Sequence, residues 1–267
     1  MSREAAGTAV AWVAVAGATG FVVSAVFSSV LRLPRGLFVL VYGVAVGVLA
    51  AQFVRRTGVL VNRPPRRRSA VAVVTGLLVG TVLAAGVIGG PGGTRPAGVH
   101  LATALGWYGI VYGVVDAVLL TVIPVTAVRA WWTSRGTNVG PLRWKAAALA
   151  ASLLVTALYH AGFAEFRSAA LVQSLIGNAV VTASYLLTGN PATPLLAHVL
   201  MHGAAVVHGM EATAQLPPHY QSRGLQANDD SCPQKLKERS AASPRSGSKR
   251  VNSRGNPFSR LSWQPWT

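Results

Sequence analysis

Acidic side chains are almost missing from this chain. Between Ala5 and Pro217 the only ones are Asp116, Glu165 and Glu211. Charge of either sign is scarce, at 12% of 267 residues, where soluble domains carry about 25%. That shortage argues against a water-soluble domain. Cysteine occurs once, at Cys232 in a polar stretch, which excludes an internal disulfide and any Cys-based metal site. There is no nucleotide-binding Gly-rich loop, no DNA-binding motif and no repeat at solenoid spacing. The N-terminal stretch does not read as a secretory signal. The apolar run in "MSREAAGTAVAWVAVAGATGFVVSAVFSSVLRLPR" is too long for an h-region of about 7–15 residues, so it reads as a retained membrane span.

What the chain does have is apolar sequence. It is 51% hydrophobic, with a mean hydropathy of +0.44. A helix of about 20 apolar residues crosses a hydrocarbon core about 30 Å thick. By that ruler spans fall near 9–31, 36–54, 69–90, 100–128, 146–163, 170–188 and 192–210. The fourth is long for one crossing. Gly106, Gly109 and Gly113 thin its start, and Pro124 is a candidate break. The expected fold class is therefore all-α, a polytopic transmembrane helix bundle of seven or eight spans within residues 1–220. Abundant Gly and Ala let such helices approach closely. Residues 221–267 are polar, basic and unpatterned, and are expected to be a disordered tail.

The net charge of +17 and pI near 11.6 would suit a nucleic-acid binder if the chain were soluble. Here the arginines lie beside the apolar runs, where positive-inside loops belong, so the expected partner is the lipid bilayer and not nucleic acid. "RRTGVLVNRPPRRRS" and "RAWWTSRGTNVGPLRWK" are two such loops. With seven spans they share one side with the N-terminus, the cytoplasmic side of what is expected to be a bacterial cell membrane. Trp131, Trp132 and Trp144 then sit at headgroup level.

Four ionisable residues lie deep in apolar sequence: Asp116, His160, His198 and His202. Such groups are costly in hydrocarbon and normally face a bundle interior with partners. His198 and His202 are four apart, which puts them one turn apart on one helix face, able to share a ligand. This is not the zincin pattern, because Val199 stands where that motif has Glu. His208 lies about 600° around the helix from His202 and is expected at the membrane edge. Glu165, Arg167 and Glu211 are expected at the surface. A catalytic zinc site needs three protein ligands and an open position. His160, His198 and His202 would supply the ligands of a divalent metal, zinc first. Asp116 would be a further ligand or the general base.

The order of these motifs, over about Tyr108 to Tyr220, resembles the CPBP intramembrane proteases. These are the CAAX prenyl endopeptidases and bacteriocin-processing enzymes once called abortive-infection proteins. Members carry E-E-x-x-x-R, then F-x-x-x-H, then H-x-x-x-N/H on successive helices. "YLLTGNPATPLLAHVLMHG" resembles the third-motif segment, with His198 as first ligand and His202 where Asn is frequent. His160, 38 residues before His198, matches the second-motif His, and Asp116, 44 residues before that, matches the second Glu. Val115, Leu120 and Thr156 depart from the first Glu, the Arg and the Phe. The resemblance implies a metal-dependent endopeptidase that hydrolyses a peptide or membrane-protein substrate, its water activated by Asp116 and the histidines. The departures support an alternative, a non-catalytic protein of the same fold binding a lipidated or membrane partner. A small transporter or proton relay also suits a buried Asp and His, though no inverted repeat accompanies them.

Overall fold

The computed structural model describes residues 3–58, 66–134, 140–211 and 214–218. The expected tail, 221–267, lies outside the described residues. Every regular element among them is helical. Helix α1, Arg3–Val22, runs on into a π-helical segment, Val23–Val30. Helices α2 (Arg35–Thr57) and α3 (Arg66–Ile88) follow. Helix α4 runs unbroken over Gly98–Ser134. Then come α5 (Pro141–Ala161), a 3-10 turn (Ala164–Phe166), α6 (Ala169–Thr188) and α7 (Ala192–His208). Six of these, α1 to α6, are long and apolar enough to cross a membrane. The last apolar stretch, α7, has 17 residues, which makes it about 26 Å long. The outward faces of the helices are apolar, with Val44, Leu78, Ile176 and Leu187 all exposed, as contact with lipid requires.

The break expected at Pro124 does not occur, and a neighbouring helix supplies the reason. Proline has no N–H to give the carbonyl four residues back, and its ring crowds that turn. Just before it the backbone widens into a π-helical segment, Ala117–Val122. The deprived carbonyl, that of Leu120, accepts instead from Ser152 Oγ of α5 at 2.5 Å. An unpaired carbonyl in hydrocarbon costs several kcal/mol, and this bond satisfies the one that Pro124 leaves open. Ser152 Oγ has given its proton to Leu120, so it accepts from Thr182 Oγ1 at 2.8 Å and from Asn178 Nδ2 at 3.0 Å. Asn178 donates its other hydrogen to Thr156 Oγ1 at 2.6 Å and accepts from Thr121 Oγ1 at 3.0 Å. Helices α4, α5 and α6 are thus joined by a buried polar network.

Helix α7 is held along α3 at both ends. Near its start Thr193 Oγ1 donates to the Ala72 carbonyl at 3.1 Å. At its end His208 Nε2 donates to the Gly90 carbonyl at 2.9 Å. Its other flank lies on α4 at Gly109 and Gly113. A β-carbon at Gly113 would stand 2.9 Å from Val199 Cα, and one at Gly109 would stand 3.2 Å from Gly203 Cα. These two glycines let the backbones touch. Asp116, one turn beyond Gly113, then faces the α7 histidines.

Candidate metal centre

Asp116 is 4% exposed, deep in the bundle. Its Oδ1 accepts from the Tyr42 hydroxyl of α2 at 2.9 Å. Its Oδ2 lies 3.0 Å from His202 Nε2. An ionised carboxylate only accepts, so Nε2 carries the hydrogen and Nδ1 of a neutral ring keeps its lone pair. That Nδ1 is buried and has no hydrogen-bond partner. The His198 ring stacks on His202 at a centroid distance of 5.9 Å, and both its nitrogens are buried without a partner. One ligand atom each from Asp116, His198 and His202 lies within 4.8 Å of the other two. The expected sharing of one face by the two histidines is thus what α7 displays.

The donor chemistry fits a divalent ion. Two imidazoles and a carboxylate are ordinary zinc ligands. A buried polar atom left unsatisfied costs about 1–3 kcal/mol, and three ring nitrogens of these two histidines are in that state.

His160 stands on the last turn of α5. Its Nδ1 lies 2.9 Å from the Thr156 carbonyl, which can only accept. The hydrogen is therefore on Nδ1, and in the neutral ring Nε2 has the lone pair. Asp116, and not His160, is the residue grouped with the two α7 histidines. His160 shares their cavity, of about 170 Å³, whose walls include Tyr112, Asp116, Asn178, His198 and His202.

Sequence reasoning missed the tyrosines around the carboxylate. Tyr42 stacks on Tyr159 at 5.1 Å, and Tyr112 and Tyr159 share a hydroxyl hydrogen bond of 2.9 Å. The Tyr112 ring packs 4.7 Å from that of His202. The signal available was a phenol in apolar sequence, as in "FVLVYGVAVG", since a buried hydroxyl usually finds a partner. Asn178 was missed as well. His208 and Glu211 lie at the end of the bundle, as expected of edge residues; Glu211 pairs with Arg35 at 3.2 Å.

No protein-family model, curated protein or solved structure matches this chain.

Proposed function

We propose that this protein is an intramembrane metal-dependent endopeptidase, similar in its motif order to the CPBP proteases. The observation that carries the reading is the pair of stacked, buried histidines that keep unpartnered nitrogens and each bring a ligand atom within 4.8 Å of an Asp116 oxygen. His198 and His202 would hold the ion beside Asp116, and zinc suits imidazole donors. A bound divalent ion would polarise a water and a peptide carbonyl. The chain's own groups do the rest. Asp116 is the one carboxylate on the cavity wall, so it takes the water's proton and passes it to the nitrogen released as the C–N bond breaks. Tyr42 fixes the carboxylate by holding Oδ1. His160 Nε2 offers a second acceptor on the same wall. The Tyr112 ring shields His202 from bulk water.

The test is cleavage of membrane-anchored and prenylated peptides by the purified chain with zinc supplied. Asp116→Asn keeps the shape but cannot take a proton, so cleavage is expected to vanish while folding persists. Asp116→Glu, which restores the residue of the resembled motif, is expected to be tolerated. One feature favours a second reading, a non-catalytic binding protein: Val115 and Leu120 leave Asp116 without the paired carboxylate and arginine of that motif. Zinc binding without cleavage of any peptide would establish it.

A further inference from the structure

We infer that the cavity takes its substrate from the non-cytoplasmic face of the membrane: an uncharged segment of a polypeptide that has already crossed it. This rests on the endopeptidase reading for the chemistry, but the route rests on geometry alone.

Helix direction defines two ends of the bundle. Helices α2, α4 and α6 stop, and α3, α5 and α7 start, at one end. Up to Pro218, eleven Lys and Arg belong to the segments at that end. Four, Arg32, Arg35, Arg95 and Arg167, belong to the other. The positive-inside rule makes the arginine-rich end cytoplasmic.

The site reaches from the middle of the bundle toward the opposite end. Tyr42, which touches Asp116, is seven residues from the start of α2 at Arg35 and fifteen from its end at Thr57. At about 1.5 Å per residue that is about 10 Å from the far end and about 22 Å from the arginine-rich end. On α7 the pair straddles the middle, with His198 six residues from the start and His202 six from the far end, and His160 is on the last turn of α5 at that far end.

The cavity walls agree. Helix α3 contributes Gly86 and Val87 from its last turns, and α6 contributes Gln173 and Ser174 from its first. Ala214, Gln215 and Pro217, beyond α7, line the same space. All of these belong to the far end, while His198, Val181 and Leu120 form the inner wall toward the middle of the bundle. Arg35 ties down the segment beyond α7, reaching the Pro218 carbonyl at 3.1 Å and Glu211 at 3.2 Å. The far-end part of the wall carries uncharged polar groups, Gln173, Ser174 and Gln215. Deeper in, Leu83, Gly86, Gly177 and Val181 offer apolar walls. Among the described residues Asp116 is the only carboxylate lining the space and no Lys or Arg lines it, so a charged substrate side chain would enter without a partner there.

The test uses the full chain with Cys232→Ser as background, and a membrane-impermeant thiol reagent added to intact cells. Gln173→Cys is expected to label without permeabilisation, and Arg56→Cys, at the other end, only after it. Gln215→Cys is a second probe of the mouth should the first variant misfold. The reverse pattern would overturn the inference. Labelling needs no catalysis, so an outward mouth on an inactive protein leaves the route standing and removes only the endopeptidase reading. In an active protein, two reporters would present the same uncharged peptide on either side of the membrane. Loss of cleavage is expected for the cytoplasmic one, and cleavage of that one alone would overturn the inference.

Discussion

His198 and His202 occupy one face of one helix, yet their removal should have unequal consequences for folding. His202 donates to Asp116, so His202→Ala leaves a buried carboxylate with one donor fewer. Removing one partner of a charged, buried hydrogen bond costs about 1.5–3 kcal/mol. His198 has no hydrogen bond to lose, so His198→Ala gives up packing alone. Both substitutions are expected to weaken zinc binding, but only His202→Ala should sharply lower the unfolding temperature in detergent when no zinc is present. Equal destabilisation by the two would contradict the hydrogen-bond assignment. Asp116, His198 and His202 were legible in the sequence because each is an ionisable group in an apolar run. Tyr42 was not, because its meaning depends on a contact across 74 positions, which no local pattern encodes.

The contact between α4 and α7 sets the geometry of the site. Gly113 meets the backbone of Val199, so Gly113→Ala must push the helices apart. Overpacking of this kind costs about 1–3 kcal/mol, and here it also draws Asp116 away from His202. The expected outcome is lower stability together with weaker zinc binding. Gly47→Ala, where a β-carbon would meet nothing within 4 Å, is the control and should change neither. Helix existence was largely legible, because runs of apolar residues near membrane length declare themselves. The continuity of α4 was not. Pro124 reads as a stop, and the residue that cancels it, Ser152, sits on another helix 32 positions from the carbonyl it satisfies.

For the whole molecule, a ligand that binds only the folded state stabilises it, by about 2.7 kcal/mol at a hundredfold excess over Kd. Zinc is therefore expected to raise the unfolding temperature of the parent and leave that of a His198→Ala, His202→Ala double variant unchanged. Imidazole and carboxylate bind metal only when deprotonated. As pH falls, protons compete for the same lone pairs, so the zinc-induced shift should shrink toward acid and grow toward neutral pH. Thermal scans with and without zinc across that range check the sign. A shift that grew toward acid would place zinc elsewhere.

Pro124 and Ser152 also carry a consequence for descent. In any lineage that replaces Pro124, the returning N–H can reclaim the Leu120 carbonyl, and position 152 is released from that duty. A lineage that first loses the Ser152 hydroxyl strands the carbonyl while the proline remains. The order of change is thus constrained: proline lost before serine is a passable route, serine lost before proline a barred one. Among diverged copies of this gene, the pair Pro with Ser and the pair non-Pro with a freely varying residue should both occur. Pro124 without a hydroxyl at position 152 should be the missing combination.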